Sequence, residues 1–137
     1  MRTIIFRGKC IQSNDWVSGD LIHGVGSKEG EMFILPNRVN LAYVKHCDPI
    51  DGVKVIPETI GQFTGLSDKN GKQIFEGDIV RGYHYNGNKK FDSLIQFRNG
   101  EFKTIVNGYK VQTGVGSWDI PLEVVGNIFE NHELILF

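Results

Sequence analysis

Glu76 and Asp78 stand two residues apart in Gln73-Ile74-Phe75-Glu76-Gly77-Asp78-Ile79-Val80. At that spacing two carboxylates share one face of a regular strand. Paired acids do acid–base work or hold a hard divalent cation, so a metal-dependent enzyme at this pair is the sharpest chemical reading. A structural role weighs more heavily, because an Asp after a Gly is placed to accept backbone amides at a bulge or turn. Downstream, Arg81, Tyr83 and Tyr85 precede an Asn86-Gly87-Asn88 turn, and Lys89, Lys90 and Phe91 follow it. Aromatic rings interleaved with cations suit a single-strand nucleic-acid platform. Solvated lysines that keep a hairpin edge from aggregating are the plainer reading.

Other constellations fall short. Residues 65–72 approach a phosphate loop, but five residues separate the glycines and Gln73 stands where a Ser or Thr would hold magnesium. Gly24-Val25-Gly26-Ser27-Lys28-Glu29-Gly30 leads into strand-like Glu31-Met32-Phe33-Ile34-Leu35, whereas a phosphate cradle leads into a helix, so a hairpin loop is expected. The sequence has no GxSxG and no HExxH. His23, His46, His84 and His132 are scattered, and His46 beside Cys47 would point to opposite faces of a strand. No catalytic residue, metal ligand set or cofactor is expected.

The chain has 137 residues, with 40% apolar and 23% charged side chains and a formal net charge of -1. That suits one domain, or two small subdomains, with its own core. Residues 69–110 carry a small basic excess, and residues 111–137 carry acids and no Lys or Arg. This polarity is well short of a nucleic-acid stripe. Cys10 and Cys47 lie in no CxxC spacing and read as reduced thiols. The start shows no signal sequence, and no apolar run is long enough to cross a bilayer, so a cytoplasmic protein is expected.

Seventeen glycines and the absence of sustained helical periodicity predict a mainly β chain. Strands are expected at 4–6, 16–22, 31–35, 39–44 and 53–56, with Trp16 and Leu21 as core anchors. Residues 47–52 read as a surface loop, and Pro57-Glu58-Thr59-Ile60-Gly61 as one helical turn with Pro first. Asp68-Lys69-Asn70-Gly71 predicts a tight reversal with positive φ at Asn-Gly. Residues 74–85 then form one long strand, bulged or bent at Gly77 and Gly82. Asn99-Gly100 joins residues 91–98 to 101–106 with a fixed register: Arg98 facing Glu101, Phe97 facing Phe102, Gln96 facing Lys103 and Ile95 facing Thr104. A Gly-rich connection follows at 111–118, then a strand at 122–129 and a docked apolar terminus at 134–137. The architecture expected is a β-rich N-terminal subdomain, residues 1–60, before a small SH3-like barrel, residues 61–137, or one intertwined domain.

The stretch Thr64-Gly65-Leu66, Asp68-Lys69-Asn70-Gly71 and Glu76-Gly77-Asp78 resembles the signature of the YopX family of phage and prophage proteins. The opening Ile5-Phe6-Arg7-Gly8-Lys9 and Trp16-Val17-Ser18-Gly19-Asp20-Leu21 resembles that family's start. Val124-Val125-Gly126-Asn127-Ile128-Phe129-Glu130-Asn131 with Glu133-Leu134 resembles its end, with His132 where the pattern has Pro. The resemblance implies a phage- or prophage-encoded protein of the bacterial cytoplasm that associates with itself, and it transfers no catalytic residue. The expected function is a non-catalytic accessory module that binds macromolecules and forms a homo-oligomer, with a protein or nucleic acid as partner and no membrane. Nucleic-acid binding through residues 69–110 and metal-dependent catalysis at Glu76 and Asp78 are the alternatives.

Overall fold

Asn99 and Gly100 adopt φ of +53° and +81°, the left-handed pair that a two-residue hairpin turn demands. In the computed structural model of the chain, residues 1–36, 47–48, 52–83, 90–106, 112–114 and 121–135 are described, with 47–48 and 112–114 as backbone only. The turn joins β9 (Lys90–Arg98) to β10 (Glu101–Val106). Arg98 faces Glu101, Phe97 faces Phe102, Gln96 faces Lys103 and Ile95 faces Thr104, the register expected from the loop length. The Phe97 and Phe102 rings meet edge to face, 5.1 Å apart, while the carboxylate of Glu101 reaches Lys103 Nζ at 3.5 Å.

The described chain is mainly β, in antiparallel sheets, and divides into two units, Met1–Phe63 and Thr64–Phe137. In the first, β1 (Phe6–Lys9), β2 (Trp16–His23), β3 (Met32–Pro36), β4 (Cys47–Asp48) and β5 (Gly52–Val55) hydrogen-bond in the order β4-β5-β3-β2-β1. β6 (Gly61–Ser67) opens beside β1, with Gln62 against Phe6, and is followed in the strand order by β7 (Gln73–Phe75). Alternation along β1 puts Phe6 and Cys10 on the side of Ile34, Val53 and Val55, the first unit's core. Pro57–Thr59 is a 3-10 turn with Pro at its first position, as expected. It is tied in by the buried Thr59 hydroxyl, which accepts the Lys9 N–H at 2.9 Å and donates to the Ile56 carbonyl at 2.6 Å.

Three expectations for this unit are corrected. The first strand begins at Phe6, and Ile4 is exposed. Cys47 and Asp48 are a short strand on Val53 and Gly52, so local loop composition yielded to a cross-strand partner. Trp16 is half-buried; the Arg7 guanidinium lies 4.6 Å and Lys9 Nζ 5.6 Å from its ring centre. A ring with cations on its face remains at the solvent boundary. The piece expected at 39–44 lies outside the described residues.

In the second unit, β8 (Asp78–Tyr83), β9, β10, β11 (Gln112–Gly114) and β12 (Glu123–Asn127) run in the order β11-β10-β9-β8-β12. Ile79-Val80 and Leu94-Ile95 are apolar at consecutive positions, so β8 and β9 bury both faces. One face packs Val80 and Ile95 on Ile74, Leu122 and Val124. The other packs Ile79 and Leu94 on Ile135, with Val125, Ile128 and Leu134 against them. The apolar end is therefore docked at Leu134 and Ile135, within the 3-10 turn His132–Ile135. Among the described residues the hydrogen-bonded order is open, with β11 and β12 as its ends. No described helix is long and apolar enough to cross a membrane.

Ser93 of β9 is wholly buried, and its hydroxyl has no hydrogen-bond partner among the described residues. An orphaned buried hydroxyl costs about 1–3 kcal/mol. Ser93→Ala is therefore expected to leave the protein as stable or to stabilise it by about 1 kcal/mol. A thermal melt showing a clear loss of stability would show that the hydroxyl is used.

Candidate functional site

The expected long strand from Ile74 is broken at Glu76-Gly77, where the chain turns between β7 and β8. Gly77 has φ of +86°, and its N–H donates to the Ile95 carbonyl at 2.8 Å while its carbonyl accepts the Ile128 N–H at 2.8 Å. The regular strand on which a shared face for Glu76 and Asp78 depended is therefore absent. Asp78 is 1% exposed, and its Oδ2 accepts the Phe75 N–H across the turn at 2.8 Å. Glu76 sits half-buried in the turn itself. A Cβ at Gly77 would stand 2.9 Å from the Phe129 ring. Gly77→Ala is expected to cost about 2 kcal/mol, mostly for the left-handed backbone, because the ring is partly exposed and can shift. Urea unfolding of the variant measures it.

Asp68 is the second committed acid. The reversal at 68–72 is closed by Gly71 N–H to Asp68 carbonyl at 3.0 Å and Asp68 N–H to Lys72 carbonyl at 2.7 Å. Positive φ falls on Gly71 and not on Asn70, so this is a type I pattern closed by a glycine bulge, in place of the Asn-Gly turn expected. Asp68 Oδ1 accepts the N–H of Asn70 at 2.8 Å and of Lys72 at 2.9 Å. Its Oδ2 accepts the N–H of Val124, on β12, at 2.9 Å. Burial raises the Asp68 pKa, but the amides of Val124, Lys72 and Asn70 outweigh it and hold the carboxyl below its ordinary value. The far end of β12 is knitted in the same way. Asn127 Oδ1 accepts the N–H groups of Phe129 and Glu130, and Asn131 Oδ1 accepts the Asn127 N–H.

Arg81 on β8 makes a two-pronged bond to Asp92 on β9, Nε to Oδ1 at 2.8 Å and Nη2 to Oδ2 at 3.0 Å. That bond outweighs burial and raises the guanidinium pKa. Tyr83 and Lys90 face one another as the last described pair of the β8–β9 ladder, and both are exposed. Of the residues singled out from the sequence, Arg81, Tyr83 and Lys90 thus share one strand pair, whereas Tyr85 and Lys89 lie outside the described residues. Among the described residues no group of three or more His, Cys, Asp and Glu side chains is set to hold a metal ion. Cys10 is buried. Burial raises its thiol pKa, but hydrogen bonds from the Ser13 hydroxyl and the Ser13 and Gln12 amides bring it below its ordinary value.

The Asp68–Val124 bond was beyond sequence reasoning. The turn motif announces the two local bonds, but nothing in it points to a strand 56 positions away.

The fold is similar to that in the crystal structure of protein EF1440 from Enterococcus faecalis, at 21% identity, over 99% of this chain and 100% of that one, with a TM-score of 0.56. At that identity the likeness concerns the fold alone. No curated protein matches. The family model described as YopX protein matches residues 5–136, which include the Asp68 turn, the Gly77 turn and the Asn127 knot. The chain therefore belongs to the YopX family.

Proposed function

We propose that this chain is a non-catalytic module of phage or prophage origin that acts in the cytoplasm of a bacterial host by binding macromolecules and associating with copies of itself. The observation that carries this reading is the commitment of Asp68 and Asp78, the signature's aspartates, to backbone amides of their own unit. A signature whose acids brace turns and strands preserves a shape, and a shape is what a binding or assembly module must preserve. We read the second unit as SH3-like: β8 to β11 form a meander and β12 returns beside β8. Small β barrels of related kinds bind peptides and oligonucleotides. Light scattering from micromolar to millimolar concentration tests self-association. A mass that is a multiple of the 15.4 kDa chain is expected, and a single-chain mass throughout contradicts it.

Tyr83 and Lys90, exposed side by side, favour nucleic acid as the second reading. Titration with single- and double-stranded oligonucleotides at low and moderate salt decides it. Salt-dependent binding supports the reading, and the lack of it removes the idea.

A further inference from the structure

β12 ends its sheet, bonded on one side to β8. The outer side of such a strand is a template for another strand. Here the Leu122 carbonyl, just before the strand, accepts the Lys69 N–H at 2.9 Å, and the Val124 N–H donates to Asp68 Oδ2 at 2.9 Å. An antiparallel partner would use the same two groups, meeting the carbonyl with an N–H and the N–H with a carbonyl. The Asp68 turn supplies both by imitation, with a carboxylate oxygen in place of the carbonyl. Further along, Asn131 Oδ1 takes the Asn127 N–H at 3.1 Å. A register shift between Val124 and Gly126 twists the strand between these two closures.

We propose that Asp68 and Lys69 guard the outer edge of β12, and that beneath them lies a latent strand-addition site for β12 of a second copy of this chain. The edge is self-complementary. In an antiparallel pair related by a two-fold axis, the Val124 N–H of each copy meets the Leu122 carbonyl of the other. The axis then passes between the two Glu123 residues, which face each other as a non-hydrogen-bonded pair. Like charges directly opposite oppose that pairing. Within one chain Glu123 instead lies 3.5 Å from Lys69 Nζ. Three features therefore act in one direction: a carboxylate on the exposed amide, an amide on the exposed carbonyl, and a like-charge clash on the axis.

The proposal does not depend on the oligomeric state of the native protein, because the readout is a gain over wild type. Sedimentation velocity from micromolar to several hundred micromolar compares wild type with Asp68→Ala, Asp68→Asn and each of these combined with Glu123→Thr. Asp68→Asn keeps an oxygen for the local turn but sets an amide NH2 against the Val124 N–H. Expected is a concentration-dependent doubling of mass in the Asp68 variants, with a dimer Kd lowered about tenfold by Glu123→Thr. Val124→Pro in the same background removes the outward donor and is expected to return the wild-type mass. A folded Asp68 variant with wild-type mass at every concentration overturns the proposal. So does a gain that survives Val124→Pro. If Asp68→Ala does not fold, the milder Asp68→Asn carries the test on the same terms.

Discussion

Asp68→Ala is expected to destabilise the protein by about 3–5 kcal/mol. Three backbone N–H groups lose their acceptor at once: Asn70 and Lys72 in the turn, and Val124 on β12. Hydrogen bonds to a charged acceptor contribute about 1.5–3 kcal/mol each, but they are not additive here because the turn and the strand edge remain open to water. Asp68→Asn, which keeps one acceptor oxygen, is expected to lose about half as much. Urea unfolding with an unchanged slope is the measurement. The acid limb of stability should follow from the same group. Its folded pKa lies below the unfolded value of about 3.9, so its contribution is complete above that value and is lost as pH falls through the folded pKa. Asp68→Asn should flatten this part of the acid-unfolding profile.

Asp78→Asn is expected to cost about 2–3 kcal/mol, and its sign separates a bracing acid from a reactive one. Asp78 is buried, and its carboxylate accepts the Phe75 N–H across the turn that Gly77 makes. The amide retains an oxygen for that bond, but it puts a donor NH2 in place of the second acceptor oxygen of a buried carboxylate. Reactive acids are held at the expense of stability, so replacing one commonly leaves a protein as stable or more so. A thermal melt of Asp78→Asn at or above the wild-type midpoint would restore Glu76 and Asp78 as a candidate for chemistry.

What was legible in the sequence was local. Asn99-Gly100 is a two-residue loop whose chemistry dictates its own register, so every partner from Arg98 to Ile95 could be named in advance. Pro57 set the 3-10 turn that follows Ile56 for the same reason, since its fixed φ needs no distant help. Expectation failed where the decisive partner is far along the chain. Glu76-Gly77 looked like a bulge in one strand, and bonds to Ile95 and Ile128 make it a turn between two. Asp68 announced a turn, yet its bond to Val124 is what closes the edge of β12. Trp16 looked like core because it is large and apolar, whereas Arg7 and Lys9 across the β1–β2 pair lie on its ring and it is only half-buried. The candidate site was legible as a set of residue types. Its use was not, because the partner of Arg81 follows from a β8–β9 register that no two-residue turn dictates.

Amide hydrogen exchange at Val124 tests most directly whether the signature's acids hold backbone in place. Val124 lies on an end strand with its N–H turned away from β8, where exchange would ordinarily be fast. The expected result is a protected Val124 amide in the wild type that becomes fast in Asp68→Asn at concentrations too low for that variant to pair, while the Gly77 amide, bonded to Ile95, stays slow. A Val124 amide that exchanges at the rate of an unstructured chain in the wild type, or that stays protected in unpaired Asp68→Asn, would contradict it.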